Sequence, residues 1–439
     1  MLNLDSSKSK NMHSTSYLPS WSLAKKISFR FFFILLALFI FLNNNGAFLY
    51  VQHLFHFPTL WLHQIIPWFS ANVLNYNYDF SIFTNGSGDT SYNYVLLFFI
   101  FLLAVFCSLI WSILDRKRKD YSKLYYWLIV LVRFYLAFTL MLYGFIKVVQ
   151  LQFPQPSLSR LLQPLGTMSP MGLAWTFLGF SKGYNIFMGV IEILSLLLLF
   201  KRTMIIGAFL SLAASVHVMA INYFFDVPVK ILSTALVVMC LFILAPYLTT
   251  ILRFFLTYQP QQLSPLQIPV FKKRWQLIAF RSFKYLFIVW TIGLMITNAF
   301  TQQYTYGSLA PKPPLYGIFN VERYILNGKE ILPHHADQNR WKQVVVDWKD
   351  YISIRTMDDN KVYFNTTVDV KKKQIEINSK NTESTQYKFK YAFTNDSTLV
   401  FKGLKNQDSL SVTLKKYNVK NITLTNRGFH WINEFPYNR

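Results

Sequence analysis

Cysteine and acidic residues are what this chain has least of. Two cysteines, Cys107 and Cys240, occur in 439 residues. Each lies inside an apolar run, so the sequence offers neither a thiolate metal cluster nor a disulfide framework, and both read as small buried hydrophobes. Asp and Glu number 20 against 44 Lys and Arg, giving a formal net charge of +24. No Gly-rich phosphate loop, HExxH zinc site or nucleophile elbow is present, which removes the chemistries those motifs carry. Charged residues of both signs make up only 15% of the chain, while 53% is hydrophobic and 18% aromatic. That balance excludes a disordered chain and argues against an ordinary soluble one.

Long apolar runs are what the chain has instead. A polar, Ser- and Lys-rich tail (1–26) ends in Lys25 and Lys26, and Arg30 precedes the unbroken run 31–42. The run continues through Asn43-Asn-Asn-Gly46 without a small-residue cleavage site, so it reads as an uncleaved membrane span rather than a secretory signal. Further runs cover 94–114, 124–149, 184–200, 203–224, 229–248 and 283–300. Each approaches the ~17 to 25 residues that a hydrocarbon core about 30 Å thick demands of a helix. Seven spans are expected.

The cations orient them. With the N-terminus inside, that side collects Lys8, Lys10, Lys25, Lys26, Arg30, Arg116-Lys-Arg-Lys119, Lys123, Lys201, Arg202, Arg253, Lys272-Lys-Arg274, Arg281 and Lys284. The other side of the membrane part holds only Lys147, Arg160, Lys182 and Lys230. Cytoplasmic loops accumulate Lys and Arg, so the expected topology is N-inside with the C-terminal region outside. Topology and anionic lipid therefore account for the basic runs, and nucleic acid is not an expected partner.

Beyond residue 300 the pattern changes. Pro311, Pro313 and Pro314 read as a linker. Apolar and polar residues then alternate at period two over 342–348, 351–355, 362–366, 374–378, 387–391, 399–402 and 409–414, with turn residues such as Asn327-Gly328 and Asn395-Asp396. Eight or so antiparallel strands are expected, as a barrel or a sandwich. The expected fold class is an all-α transmembrane bundle with an all-β extracytoplasmic domain. Its parts are the tail 1–26, two N-terminal spans with an outer loop (27–123), a central bundle (124–250), a cytoplasmic loop with the last span (251–300), and the β domain (301–439).

Ionisable groups inside spans cost about 2.5 kcal/mol or more. Arg133, Glu192 and His217 are the clear cases. A rise of 1.5 Å per residue places Arg133 and Glu192 near the midplane from opposite sides, close enough for an ion pair. Such a pair either locks two helices or forms a functional polar site. His217 falls in the outer half, as a helix-packing donor or a proton carrier. Nearer the outer surface come Lys147, Asn222, Asp226 and Lys230, the last three around a very short connection. With Glu192 and His217 they make an outward-facing polar funnel, or else they are interfacial anchors. The Pro- and Gly-broken loop 150–175, which ends on Trp175, is expected on or in the membrane or capping the bundle. His53, His56 and His63 lack a carboxylate or Cys nearby and make a poor metal site, so no metal is expected.

The middle spans resemble the DoxX family of bacterial membrane proteins. The resemblance is carried by Arg133-Phe-Tyr-Leu-Ala through Tyr143-Gly-Phe-Ile-Lys147, and by Gly189-Val-Ile-Glu192 followed by 196–200 and Lys201-Arg-Thr203. Pro156-Ser157, Ser169-Pro-Met-Gly172, Asp226-Val-Pro-Val-Lys230 and the tail Asn426-Arg-Gly-Phe-His430-Trp-Ile-Asn433 look like an extended subgroup with an outer β domain. The resemblance implies a four-helix core over 124–250 and, for some relatives, quinone or thiol redox chemistry, including a thiosulfate:quinone oxidoreductase subunit. Two functions follow as expectations. In one, a bacterial inner-membrane bundle accepts a quinone or similar amphipathic molecule near Arg133, Glu192 and His217, with Lys147 and Lys230 framing the mouth. In the other, residues 301–439 bind an envelope protein or ligand and the spans anchor them, with Trp341, Trp348, Phe429 and Trp431 read as core of that domain or else as a ligand-facing cluster.

Overall fold

The architecture was obtained as a computed structural model that describes residues 21–48, 56–81, 83, 85–263, 266, 273–379 and 385–438. Most of the expected tail 1–26, His53 and the side chain of His56 lie outside the described residues. The main helices are α1 (Leu23–Leu42), α2 (His56–Asn72), α3 (Ser91–Leu114), α4 (Ser122–Val148), α5 (Pro170–Phe180), α6 (Lys182–Ile193), α7 (Met204–Phe224), α8 (Lys230–Thr257) and α9 (Arg274–Thr305). A 3-10 stretch, Leu194–Leu199, continues α6.

Among the described residues, six helical stretches are long and apolar enough to cross a membrane: α3, α4, Lys182–Leu199, α7, α8 and α9. The protein is therefore a membrane protein. The seventh expected span corresponds to α1, a 20-residue helix whose first turns carry Lys25, Lys26 and Arg30. Helix starts follow local chemistry. The Thr90 hydroxyl accepts the Asn93 N–H at the head of α3, and Ser169 accepts the Gly172 N–H at the head of α5, where Pro170 takes the first helical position.

The chain divides into two compact units. One runs to Leu142 and resumes over Ile191–Ile292; the other joins Tyr143–Val190 to Gly293–Arg439. In the first unit α1 packs along α3, α2 also meets α3, and α7 packs against both α8 and the 3-10 stretch.

The second unit contains the β domain. Its strands are β1 (Gly317–Leu326), β2 (Lys329–Glu330), β3 (Trp341–Trp348), β4 (Tyr351–Thr356), β5 (Lys361–Asp369), β6 (Gln374–Ser379), β7 (Gln386–Asn395), β8 (Thr398–Lys405) and β9 (Asp408–Lys416). They form an antiparallel meander, which β1 closes by pairing with β9 from Phe319 opposite Lys416 to Leu326 opposite Leu410. Eight strands thus make a barrel, and the two-residue β2 is an appendage on β1. Of the two architectures expected, the barrel is the one formed.

Alternation along each strand sets the interior. On β7, Tyr387, Phe389 and Tyr391 point in, while Lys388 and Lys390 point out. Trp341, Phe319, Tyr324, Phe364 and Phe401 join them in one buried core. Burying a large apolar side chain contributes about 1.5–3 kcal/mol, so side chains both fill this barrel and hold it together. Of the four aromatics expected as core, or else as a ligand-facing cluster, Trp341 is core, whereas Trp348, Phe429 and Trp431 are exposed.

The loop after α4 contributes to this domain. Its turn Leu158–Leu161 is capped by Asp347 of β3, whose carboxylate accepts the Leu158 N–H at 3.1 Å and the Ser159 N–H at 2.9 Å. Leu158 is buried against Ile318 and Val345, and Arg355 donates to the Leu162 carbonyl at 3.2 Å. This part of the loop, expected at the membrane, packs on the outside of the barrel.

Candidate functional site

Among the residues singled out from sequence, Glu192 stands near the end of α6 and is 4% exposed. The helix tightens to 3-10 two residues later, and α7 comes very close to the end of that stretch. A Cβ on Gly207 would lie 2.7 Å from the Leu198 nitrogen and 2.8 Å from the Leu197 carbonyl carbon. Ser195 in this stretch donates to the Ala137 carbonyl of α4 at 3.1 Å.

The Leu197 carbonyl accepts the Phe200 N–H at 3.4 Å, and the last carbonyls of the stretch draw further donors from side chains. Thr203 Oγ1 donates to Leu197 O at 2.7 Å, Arg133 Nε to Leu198 O at 2.6 Å, and Lys284 Nζ to Leu199 O at 2.7 Å. Arg133 therefore caps a helix end and does not pair with Glu192. Leu198 lies three residues before Lys201, at the end of the stretch and six residues beyond Glu192.

His217 is the second correction. It is exposed, and no hydrogen bond is formed by it among the described residues. The buried face of α7 is Gly207, Ala208, Ser211, Ala214, Ser215 and Asn222. At 3.6 residues per turn, His217 points about 200° away from Ser215. It is not brought together with Glu192.

Asn222, Asp226 and Lys230 do come together. The Asn222 side-chain amide donates to the Val229 carbonyl at 3.2 Å, and its own carbonyl accepts the Val227 N–H. Asp226, in the left-handed region at φ 51°, forms an ion pair with Lys230 at 2.9 Å. Lys230 is half-buried and also lies 4.0 Å from the Asp89 carboxylate. Asp89, from the loop before α3, accepts the Lys230 N–H at 2.6 Å and the Ile231 N–H at 3.0 Å, capping α8 from outside. These groups stitch a tight connection, with most of their donors and acceptors engaged.

Within the second unit, the glycines of the two motifs behind the DoxX resemblance meet. A Cβ on Gly189 would lie 2.6 Å from the Gly144 carbonyl oxygen, a close helix approach that larger residues forbid. Lys147, 4% exposed, lies 5.7 Å from the Tyr143 ring and 5.6 Å from the Phe153 ring. Trp175 meets Phe153 edge-on at 5.0 Å, so Lys147 and Trp175 share one aromatic neighbour.

Sequence reasoning missed three functional-looking groups. In the sequence Lys284 and Arg30 count only toward orientation, and Asp89 has no reading at all. Arg30, 2% exposed, donates to Tyr121 Oη through Nε and Nη2, to Ser112 Oγ at 2.8 Å, and to the Asp115 carbonyl at 3.0 Å. Their partners are distant in sequence, so spacing carries no trace of them. His63 stacks on Phe83 at 3.9 Å, and among the described residues no group of three His, Cys, Asp or Glu is placed to hold a metal ion.

No family model matches the chain, and no solved structure does. A curated relative, an uncharacterized protein of Bacillus subtilis named YwoB, is 42% identical over 115 residues, which are 26% of this chain and 71% of that protein.

Proposed function

The chain belongs to the family of the Bacillus subtilis protein YwoB, and we propose for it a DoxX-like, membrane-embedded function centred on Glu192, which accepts a quinone or a similar amphipathic ligand. The carrying observation is a carboxylate, 4% exposed, in a stretch apolar enough to span a membrane. Such a group is costly there and by default marks function. The resemblance of Gly189-Val-Ile-Glu192 and Tyr143-Gly-Phe-Ile-Lys147 to the DoxX motifs supports the same reading. In this reading α1 is a seventh span, the N-terminus is cytoplasmic, the membrane is the bacterial inner membrane, and the barrel is extracytoplasmic. Mass spectrometry of small molecules co-purifying with the full chain tests it. A quinone or related amphiphile is expected, with retention reduced about tenfold or more in Glu192→Gln, the loss of one charge-assisted hydrogen bond. An identical ligand profile in the two proteins refutes the site.

One observation favours a second reading. The barrel interior is filled, while Phe429, Trp431, Ile432 and Phe435 are exposed together in the tail. A non-enzymatic envelope-binding role would use that outer surface, and recovery of one specific partner by the full chain, lost in Trp431→Ala, would favour it.

A further inference from the structure

The donors at the end of the 3-10 stretch exceed what the stretch can use. A guanidinium carries five N–H donors and an ammonium three. Arg133 commits Nε to Leu198, and Lys284 commits one bond to Leu199. The terminal nitrogens of Arg133 form no further hydrogen bond among the described residues, although the side chain is 3% exposed. No ion pair reaches either cation among the described residues. A helix C-terminus presents about half a negative elementary charge, which leaves two full cations well over half unneutralised.

The carbonyls they cap belong to adjacent residues, which brings the two cations to the same helix end. The hydroxyl-bearing rings of Tyr126 and Tyr247 lie within electrostatic reach of Arg133. Tyr126 is two turns before Arg133 on the same face of α4, and Tyr247 comes from α8. Neither hydroxyl has a hydrogen bond among the described residues, although Tyr247 is 7% exposed. Phe134, Phe200 and Tyr285 place their rings within 6 Å of the Lys284 ammonium (5.9, 5.8 and 5.9 Å). Three helices thus contribute two cations on neighbouring carbonyls and two phenols within electrostatic reach of Arg133.

We infer that Arg133, Lys284, Tyr126 and Tyr247 form a phosphate-binding site at this end of the bundle. A phosphate or phosphodiester supplies the missing negative charge and several acceptor oxygens for the uncommitted donors, and the aromatic wall around Lys284 suits the acyl side of a phospholipid head. The site shares no residue with the one centred on Glu192.

The full chain is reconstituted in phosphatidylcholine nanodiscs, with or without phosphatidylglycerol, and its unfolding temperature is measured with and without inorganic phosphate. Stabilisation by phosphatidylglycerol, weakened about tenfold in apparent affinity by Lys284→Gln, assigns a lipid headgroup. Stabilisation by inorganic phosphate in pure phosphatidylcholine, weakened by the same substitution, assigns a free anion. Responses identical in the wild-type protein and Lys284→Gln overturn the site. Tyr247→Phe removes one hydroxyl and no capping bond, so it supplies the same comparison if Lys284→Gln does not fold.

Discussion

At the residue scale, the buried cations are stabilised by uncharged oxygens as much as by carboxylates. Arg30 spends two of its donors on the Tyr121 hydroxyl, which in turn donates to Asp115 Oδ2 at 2.8 Å. Tyr121→Phe leaves those donors unsatisfied, and a loss of about 1–3 kcal/mol is expected, read as a lowered unfolding temperature in detergent. His63 behaves oppositely. Burial against Phe83 and Tyr92 holds its imidazole below the usual 6.5. The unfolded chain then binds the extra proton more readily, so the contribution of His63 is complete above pH 6.5 and declines as pH falls below it. Following the His63 ring protons by NMR through that window checks the sign, and Phe83→Ala is expected to move the midpoint back toward 6.5. Sequence identified Arg133, Glu192 and His217 as costly, because an ionisable group in an apolar run stands out. It did not reveal direction. His217 could have been turned outward from the small-residue periodicity of Gly207, Ser211, Ala214 and Ser215, whereas the bond from Arg133 to Leu198 spans 65 positions and left no local signal.

At the element scale, glycine decides where helices touch. Gly207 lets α7 lie directly on the backbone of Leu197 and Leu198, and that contact coincides with the change from α to 3-10 geometry. Gly207→Val is expected to cost about 1–3 kcal/mol, as overpacking does, and to loosen the capping bonds of Arg133 and Lys284. Faster hydrogen exchange at Leu197–Leu199, with exchange in the barrel unchanged, is the measurement. Six spans were legible from hydropathy, because the length of an apolar run is a direct physical requirement of the bilayer. The 3-10 stretch was not, since Leu194-Ser-Leu-Leu-Leu-Leu199 is equally apolar in either helix.

For the whole molecule, the β domain carries its own closed core, so residues 310–439 expressed alone are expected to give a β-type circular dichroism spectrum and one cooperative unfolding transition. The fragment omits Leu158, which covers Ile318 and Val345. It should therefore melt below a version that has the segment 157–163 fused ahead of it through a flexible linker; equal melting temperatures would mean that the capping by Asp347 contributes little. Strands β3 to β9 were readable from period-two alternation, with ends displaced by at most four residues. β1 was not, because Glu322 and Arg323 break the alternation where the β1–β9 register shifts.

The closing pair of strands has a temporal meaning. β1 is the first of the nine strands to be synthesised and β9 the last, and Phe319 must wait for Lys416 before the ring can shut. Until then the emerging chain presents one unsatisfied edge on β1 and another on whichever strand has appeared most recently. A nascent or truncated product ending before Asp408 keeps both edges open, so proteolytic clearance and cross-chain aggregation compete for it in the interval before closure.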